Sequence, residues 1–186
     1  MTTMTLEQRS VARMGEVGRF PATRHPTTSI WGPVQDATER APGIWKVSTA
    51  GHGGYMLSPE RVAAMPDMLK PGAETKRGNF EEDCDWALVA LAFPHHFTEL
   101  DQYYARNTIK GTASFNYPGF DAAPWLAILS AYPVIEIRDM SREGRIALYQ
   151  NEWKWNHNFQ ECPREDAERA VDAGNDLPKA AEGVTS

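Results

Sequence analysis

Ile44-Trp45-Lys46-Val47-Ser48-Thr49-Ala50-Gly51-His52-Gly53-Gly54-Tyr55-Met56-Leu57 is the stretch on which the fold turns. Ile44 to Thr49 sets Trp45, Val47 and Thr49 against Ile44, Lys46 and Ser48, the period-two alternation of a strand. Tyr55 to Leu57 reads as the return strand. Ala50 to Gly54 is then a hairpin loop, whose glycines permit positive φ and close backbone approach.

Working outward, Ser58-Pro59-Glu60 combines a hydroxyl cap, a proline at the first helical position and an acid in the first turn. A short helix follows, closed by Pro66. After a polar excursion from Asp67 to Gly78, Asn79 with Glu82 three residues on has the pattern of a capping box and predicts a helix. Phe80, Cys84, Leu88 and Leu91 give that helix an apolar stripe, broadened by Ala87 and ended by Pro94. Further helices are predicted over His96 to Ile109, Pro124 to Ala131 and Pro163 to Ala173. Val134 to Arg138 and Arg145 to Trp153 read as strands joined by a turn at Ser141-Arg142-Glu143-Gly144. Upstream, Gly32 to Arg40 reads as a short helix. Leu6, Val11, Met14 and Val17 suggest a weak amphipathic helix ended by Pro21. The expected fold is α+β, two β-hairpins combined with several short helices in one compact domain. Residues 1–29 form an N-terminal helix and connector, 30–175 the domain, and 176–186 a flexible tail.

Of 186 residues, 41% are hydrophobic and 24% charged, enough for one core. Lysine and arginine number 19 against 25 acids, a net charge of −6, so direct nucleic-acid binding is not expected. The imbalance is too mild to establish a DNA mimic. Two cysteines make neither a disulfide framework nor a four-sulfur zinc site. The apolar stretch from Trp86 to Phe97 is interrupted by Pro94, His95 and His96 and falls short of the roughly 20 residues that cross a bilayer. No secretory or organelle signal is evident, so a cytoplasmic location without membrane association is expected.

Ser48-Thr49-Ala50-Gly51-His52-Gly53-Gly54, Leu57-Ser58-Pro59-Glu60-Arg61 and Phe80-Glu81-Glu82-Asp83-Cys84-Asp85-Trp86 together resemble a family of bacterial and phage proteins defined only as a domain of unknown function. The resemblance runs roughly from Ile30 to Pro94. That family often has tyrosine where this chain has Phe80, which removes a phenol from any shared chemistry. The resemblance implies cargo of plasmids, prophages and integrated elements, with accessory roles such as countering host defence. It implies no reaction.

Several residues are able to carry chemistry. His52, among glycines, suits a general base or a metal ligand, or simply a turn. Glu81, Glu82, Asp83 and Asp85 lie within one and a half helical turns, with Glu81 and Asp85 four apart on one face. They suit a hard cation or an acid and base pair, or simply a helix start, where acids are favoured by about 0.3–1 kcal/mol each. Cys84 on the apolar stripe is a core cysteine rather than a nucleophile, since burial and neighbouring acids raise a thiol's pKa. His95, His96 and His157 have no regular ligand spacing for zinc. Trp153 and Trp155 share one face of the predicted second hairpin.

Asn79 to Ala105 contains no lysine or arginine, a surface that attracts a basic partner. The leading expectation is a non-enzymatic accessory protein of a mobile element. It would bind a host protein or nucleoprotein complex through Glu81, Asp85, Trp153 and Trp155 and inhibit host defence. The alternative is a small hydrolase or transferase with His52 as base and Glu82 or Asp83 orienting it or holding a metal. No cofactor is expected; metal dependence and oligomeric state stay open.

Overall fold

A computed structural model of the chain describes residues 6–16 and 18–178. Residues 1–5 and Val17 of the predicted N-terminal segment, and residues 179–186 of the predicted tail, lie outside the described residues. The fold is α+β, with helices beside two small antiparallel sheets. The described chain divides into two compact units, one running to Val134 and the other starting at Ile135.

The first unit opens with α1 (Leu6–Gly15) and a minimal hairpin of β1 (Thr28–Ser29) and β2 (Gly32–Pro33). Next come β3 (Asp36–Ala41), β4 (Ile44–Ser48), β5 (Gly53–Leu57), α2 (Pro59–Ala64), α3 (Ala73–Lys76) and β6 (Asn79–Glu81). Then follow α4 (Trp86–Ala92), α5 (Glu99–Ala113) and α6 (Ala123–Ala131). The main sheet has the order β3-β4-β5-β6, every pair antiparallel. Ile44, Tyr55, Leu57 and Phe80 from the sheet share a core with Leu88, Leu91, Phe97, Ile109, Trp125 and Ile128 from the helical layer.

The predicted hairpin is β4 and β5, with Ser48 opposite Gly53. Thr49 closes its turn: its N–H and Oγ1 both donate to the His52 carbonyl at 2.7 Å, and its Oγ1 accepts from His52 N at 3.2 Å. Gly54 is required for a different reason. Its φ is +148°, and a Cβ there would meet the Phe80 carbonyl oxygen of β6 at 2.1 Å. The glycine lets β6 pair against β5, Tyr55 opposite Phe80. Ser58 caps α2 by accepting from Arg61 N. Thr98 and Asp101 form the capping box that starts α5.

Asn79 does not begin a helix. Residues 79–81 form β6, because the edge of β5 offers Phe80 a ladder position and a fully buried site. The acids fill the connection, and the helix begins only at Trp86. Glu81 and Asp85 therefore do not share a helix face. The helix predicted over Gly32 to Arg40 is β2 and β3, since Asp36 to Ala41 pairs along β4. In α1, Val11 and Met14 face solvent; the helix is held by polar contacts instead, among them Arg13 Nε donating to the His95 carbonyl at 2.8 Å.

The second unit contains α7 (Arg142–Asn156) and α8 (Arg164–Asp172). The hairpin predicted here is absent among the described residues. Ser141 accepts from Gly144 N at 3.0 Å, so the expected turn is a helix cap. Ile137–Asp139 is one 3₁₀ turn, and the run read as Arg145 to Trp153 is helical. Ile146, Tyr149 and Trp153 recur at helical spacing and pack with Cys162, Ala167 and Val171. Arg142 clamps Asp172 with two hydrogen bonds of 2.8 and 2.7 Å.

Candidate functional site

Two places in the first unit bring imidazoles to carboxylates. The first is a rim at the β5–β6 edge. Because these strands are neighbours, the His52 turn and the chain leaving β6 meet. His52 Nδ1 lies 3.6 Å from Glu82 Oε1, and Glu82 Oε2 accepts the Gly53 N–H. Glu81 Oε2 accepts from Asp83 N at 2.7 Å. The His52 and Glu82 side chains are 63% and 40% exposed, so water screens their attraction. An imidazole with Nδ1 toward a carboxylate keeps Nε2 free to exchange a proton with a bound molecule.

The remaining acids differ. Asp83 is exposed and bonded through its backbone, whereas Asp85 is half-buried. Burial, aided by the Glu81 charge, pushes the Asp85 carboxyl up to about 6. It lines a groove of about 370 Å³ with Glu74, Asp121 and Trp125. Cys84 packs against the core, and burial pushes its thiol above the ordinary value, with Asp85, Glu81 and Asp83 adding to the rise. Nucleophilic use of this thiol is therefore disfavoured.

The tryptophans lie in the second unit, on α7 rather than on a strand. Two residues apart on a helix means roughly 200° of rotation, so they do not share a face. Trp153 packs against the small core of this unit and stacks on His157 with ring centroids 3.8 Å apart. Trp155 is 64% exposed and meets the exposed Phe159 edge-on.

The second place is mostly withdrawn from solvent, with the Glu16, His95 and His96 side chains 15%, 13% and 8% exposed. Glu16, just past the end of α1, directs both carboxylate oxygens at the Pro94–His96 turn. Oε2 is 2.7 Å from His96 Nε2, and Oε1 is 2.8 Å from His95 Nε2. Arg61 Nη1 donates to both oxygens at 2.9 Å. Arg61 is only 1% exposed; its Nε donates to the Pro42 carbonyl at 2.9 Å, and its guanidinium lies 3.6 Å from the centre of the Phe20 ring. Arg40 Nε donates to the His96 carbonyl at 2.8 Å. Burial works to raise the Glu16 pKa, but hydrogen bonds from His96 and Arg61 outweigh it and hold the carboxyl below its ordinary value. Burial lowers the pKa of His96 against the opposing pull of Glu16, favouring the neutral ring. A cavity of about 420 Å³, lined by Glu16, His96, Arg13, Arg40 and Arg61, opens beside this centre.

His157, the third imidazole considered with His95 and His96, instead stacks on Trp153 within its own unit, and no local sequence pattern marks Glu16 or Arg61 for a chemical role. Among the described residues, the His/Cys/Asp/Glu groups close enough to share a cation are Glu16 with His95 and His96, and His52 with Glu81 and Glu82. No described helix is long and apolar enough to cross a membrane.

A four-stranded antiparallel sheet under a helical layer, with a glycine turn bearing histidine beside an acidic strand exit, defines the class: a small α+β domain with a polar rim. Residues 24–123, more than half of the chain, match the family described as a domain of unknown function, DUF7007, and the chain belongs to that family. No curated protein and no solved structure matches the chain.

Proposed function

We propose that this chain is a non-catalytic accessory protein of a mobile genetic element that binds a basic surface on a host protein or nucleoprotein complex and thereby blocks a defence function. The observation that carries this reading is the acidic rim. Glu81, Glu82 and Asp83 form no ion pair with lysine or arginine among the described residues, although such pairs are frequent elsewhere in the chain. Unneutralised acids at a strand exit attract and orient a cationic partner. Asp85 is half-buried in its groove and Trp153 packs against the core of its unit, so the rim acids are the anchors, with Trp155 exposed on the second unit. Immobilised chain incubated with host cytoplasmic extract should retain a partner at low salt and release it as ionic strength rises. Glu81→Lys with Asp83→Lys should abolish retention; unchanged retention would contradict the assigned surface.

The His52–Glu82 contact favours a second reading, general-base catalysis by a hydrolase or transferase. It requires that the chain cleave a simple ester or phosphoester probe and that His52→Ala abolish the cleavage. Full activity in His52→Ala would end this reading.

A further inference from the structure

We propose that Glu16, His95 and His96 form a binding site for a divalent metal ion of the zinc class, with an open coordination position on the adjoining cavity. The three donors come from a helix exit and one turn, and their ligating atoms lie within 4.8 Å of one another. Two imidazole nitrogens and one carboxylate oxygen suit zinc or ferrous iron and are poor company for calcium or magnesium, which prefer oxygen.

Hydrogen bonding alone does not account for this arrangement. His96 Nε2 makes an aligned hydrogen bond to Glu16. His95 Nε2 is buried and 2.8 Å from Oε1, yet it has no hydrogen bond of acceptable geometry. A buried imidazole nitrogen left out of alignment costs free energy unless something else uses it. Consecutive residues also turn their rings to the same place, with centroids 4.2 Å apart. That convergence is what two ligands to one ion require.

The surroundings hold the ligands as an outer shell does. Arg61 fixes the carboxylate while leaving it lone pairs for a cation, since an ionised carboxylate has about four. Arg13 Nε and Arg40 Nε hold the backbone carbonyls of His95 and His96 and so fix the turn from which both rings project; on binding, the ion takes the place of the His96 hydrogen bond to Glu16. Zinc bonds of about 2.0–2.1 Å set tetrahedral ligands ~3.3 Å apart, so the ligating oxygen opens from its nearer imidazole by roughly 0.5 Å while the other imidazole turns from the second oxygen toward the ion. The cavity supplies space for a fourth ligand. With Arg13, Arg40 and Arg61 on its wall, that ligand is water or a small anion.

The test is Co²⁺ titration of the untagged, chelator-treated full chain, followed by visible d–d absorption and displacement with Zn²⁺. A single equivalent should generate the band, and equimolar Zn²⁺ should bleach it. His95→Ala and His96→Ala should each weaken binding by about 10–100-fold or more, while His52→Ala leaves it unchanged. If a histidine variant loses its far-ultraviolet helical signal, Glu16→Gln, which keeps an acceptor for Arg61, takes its place with the same expected loss. Absence of the band in the wild-type chain, equal weak binding in all variants, or loss confined to His52→Ala would each overturn the proposal.

Discussion

The rim and the buried centre use the same residue types to opposite ends. At the rim, His52 faces Glu82 in water, and the pair contributes little to stability while its atoms stay available. At the centre, Glu16 meets His95, His96 and the buried Arg61 largely away from solvent, where an ionised group without its partner would be costly. Burial, not composition, separates the group that fixes the chain from the group whose atoms stay exposed.

The largest expected effect comes from breaking the centre. Arg61→Ala leaves the Glu16 carboxylate with imidazole partners alone and removes the cation over Phe20, and should cost about 3–5 kcal/mol in chemical denaturation. Gly54→Ala strikes the hinge of the rim. It forces a side chain into positive φ, with strain of about 1–3 kcal/mol before the clash with the Phe80 carbonyl is counted. Loss of amide protection in β6, with α5 still protected, would locate the damage at the β5–β6 edge.

Asp85 gives a pH signature distinct from both. Its folded value of about 6 lies above the ordinary 3.8, so the native state holds this proton more tightly than the unfolded chain does. The associated stability is full below the ordinary value and is lost as pH rises through about 6, amounting to roughly 2–3 kcal/mol. Asp85→Asn should therefore stabilise the protein by about 1–3 kcal/mol at pH 8 and by almost nothing near pH 2.5, below the ordinary value. A gain that is the same at both pH values would remove burial of the charge as the cause. The smallest effect belongs to the rim: Glu82→Ala should cost no more than about 1 kcal/mol, chiefly its hydrogen bond from Gly53 N.

The sequence patterns made the rim legible and the centre invisible, and for a physical reason. The glycine turn between Ser48 and Gly53 is a local signal, and the next extended segment pairs with its return strand. His52 and Glu82 therefore meet even though the residues around Glu82 read as a helix start. That misreading arose because Asn79 and Glu82 fit a capping box while Phe80 finds a better place in the sheet. The misreading of α7 has a similar root: its β-rich run also matches a 3.6-residue period, and the Ser141 cap settles the competition. Glu16 lies 80 residues from His96, and no local pattern marks their meeting. The burial of Arg61 is equally unmarked, since arginine in a first helical turn ordinarily faces solvent.

A pair of double-mutant cycles, Glu16→Gln with Arg61→Met and His52→Ala with Glu82→Ala, measured by denaturation at pH 7, tests the contrast most directly. The predicted coupling is about 2 kcal/mol or more in the first cycle and less than about 0.5 kcal/mol in the second. Equal couplings, or a larger one at the rim, would contradict burial as what separates the two regions.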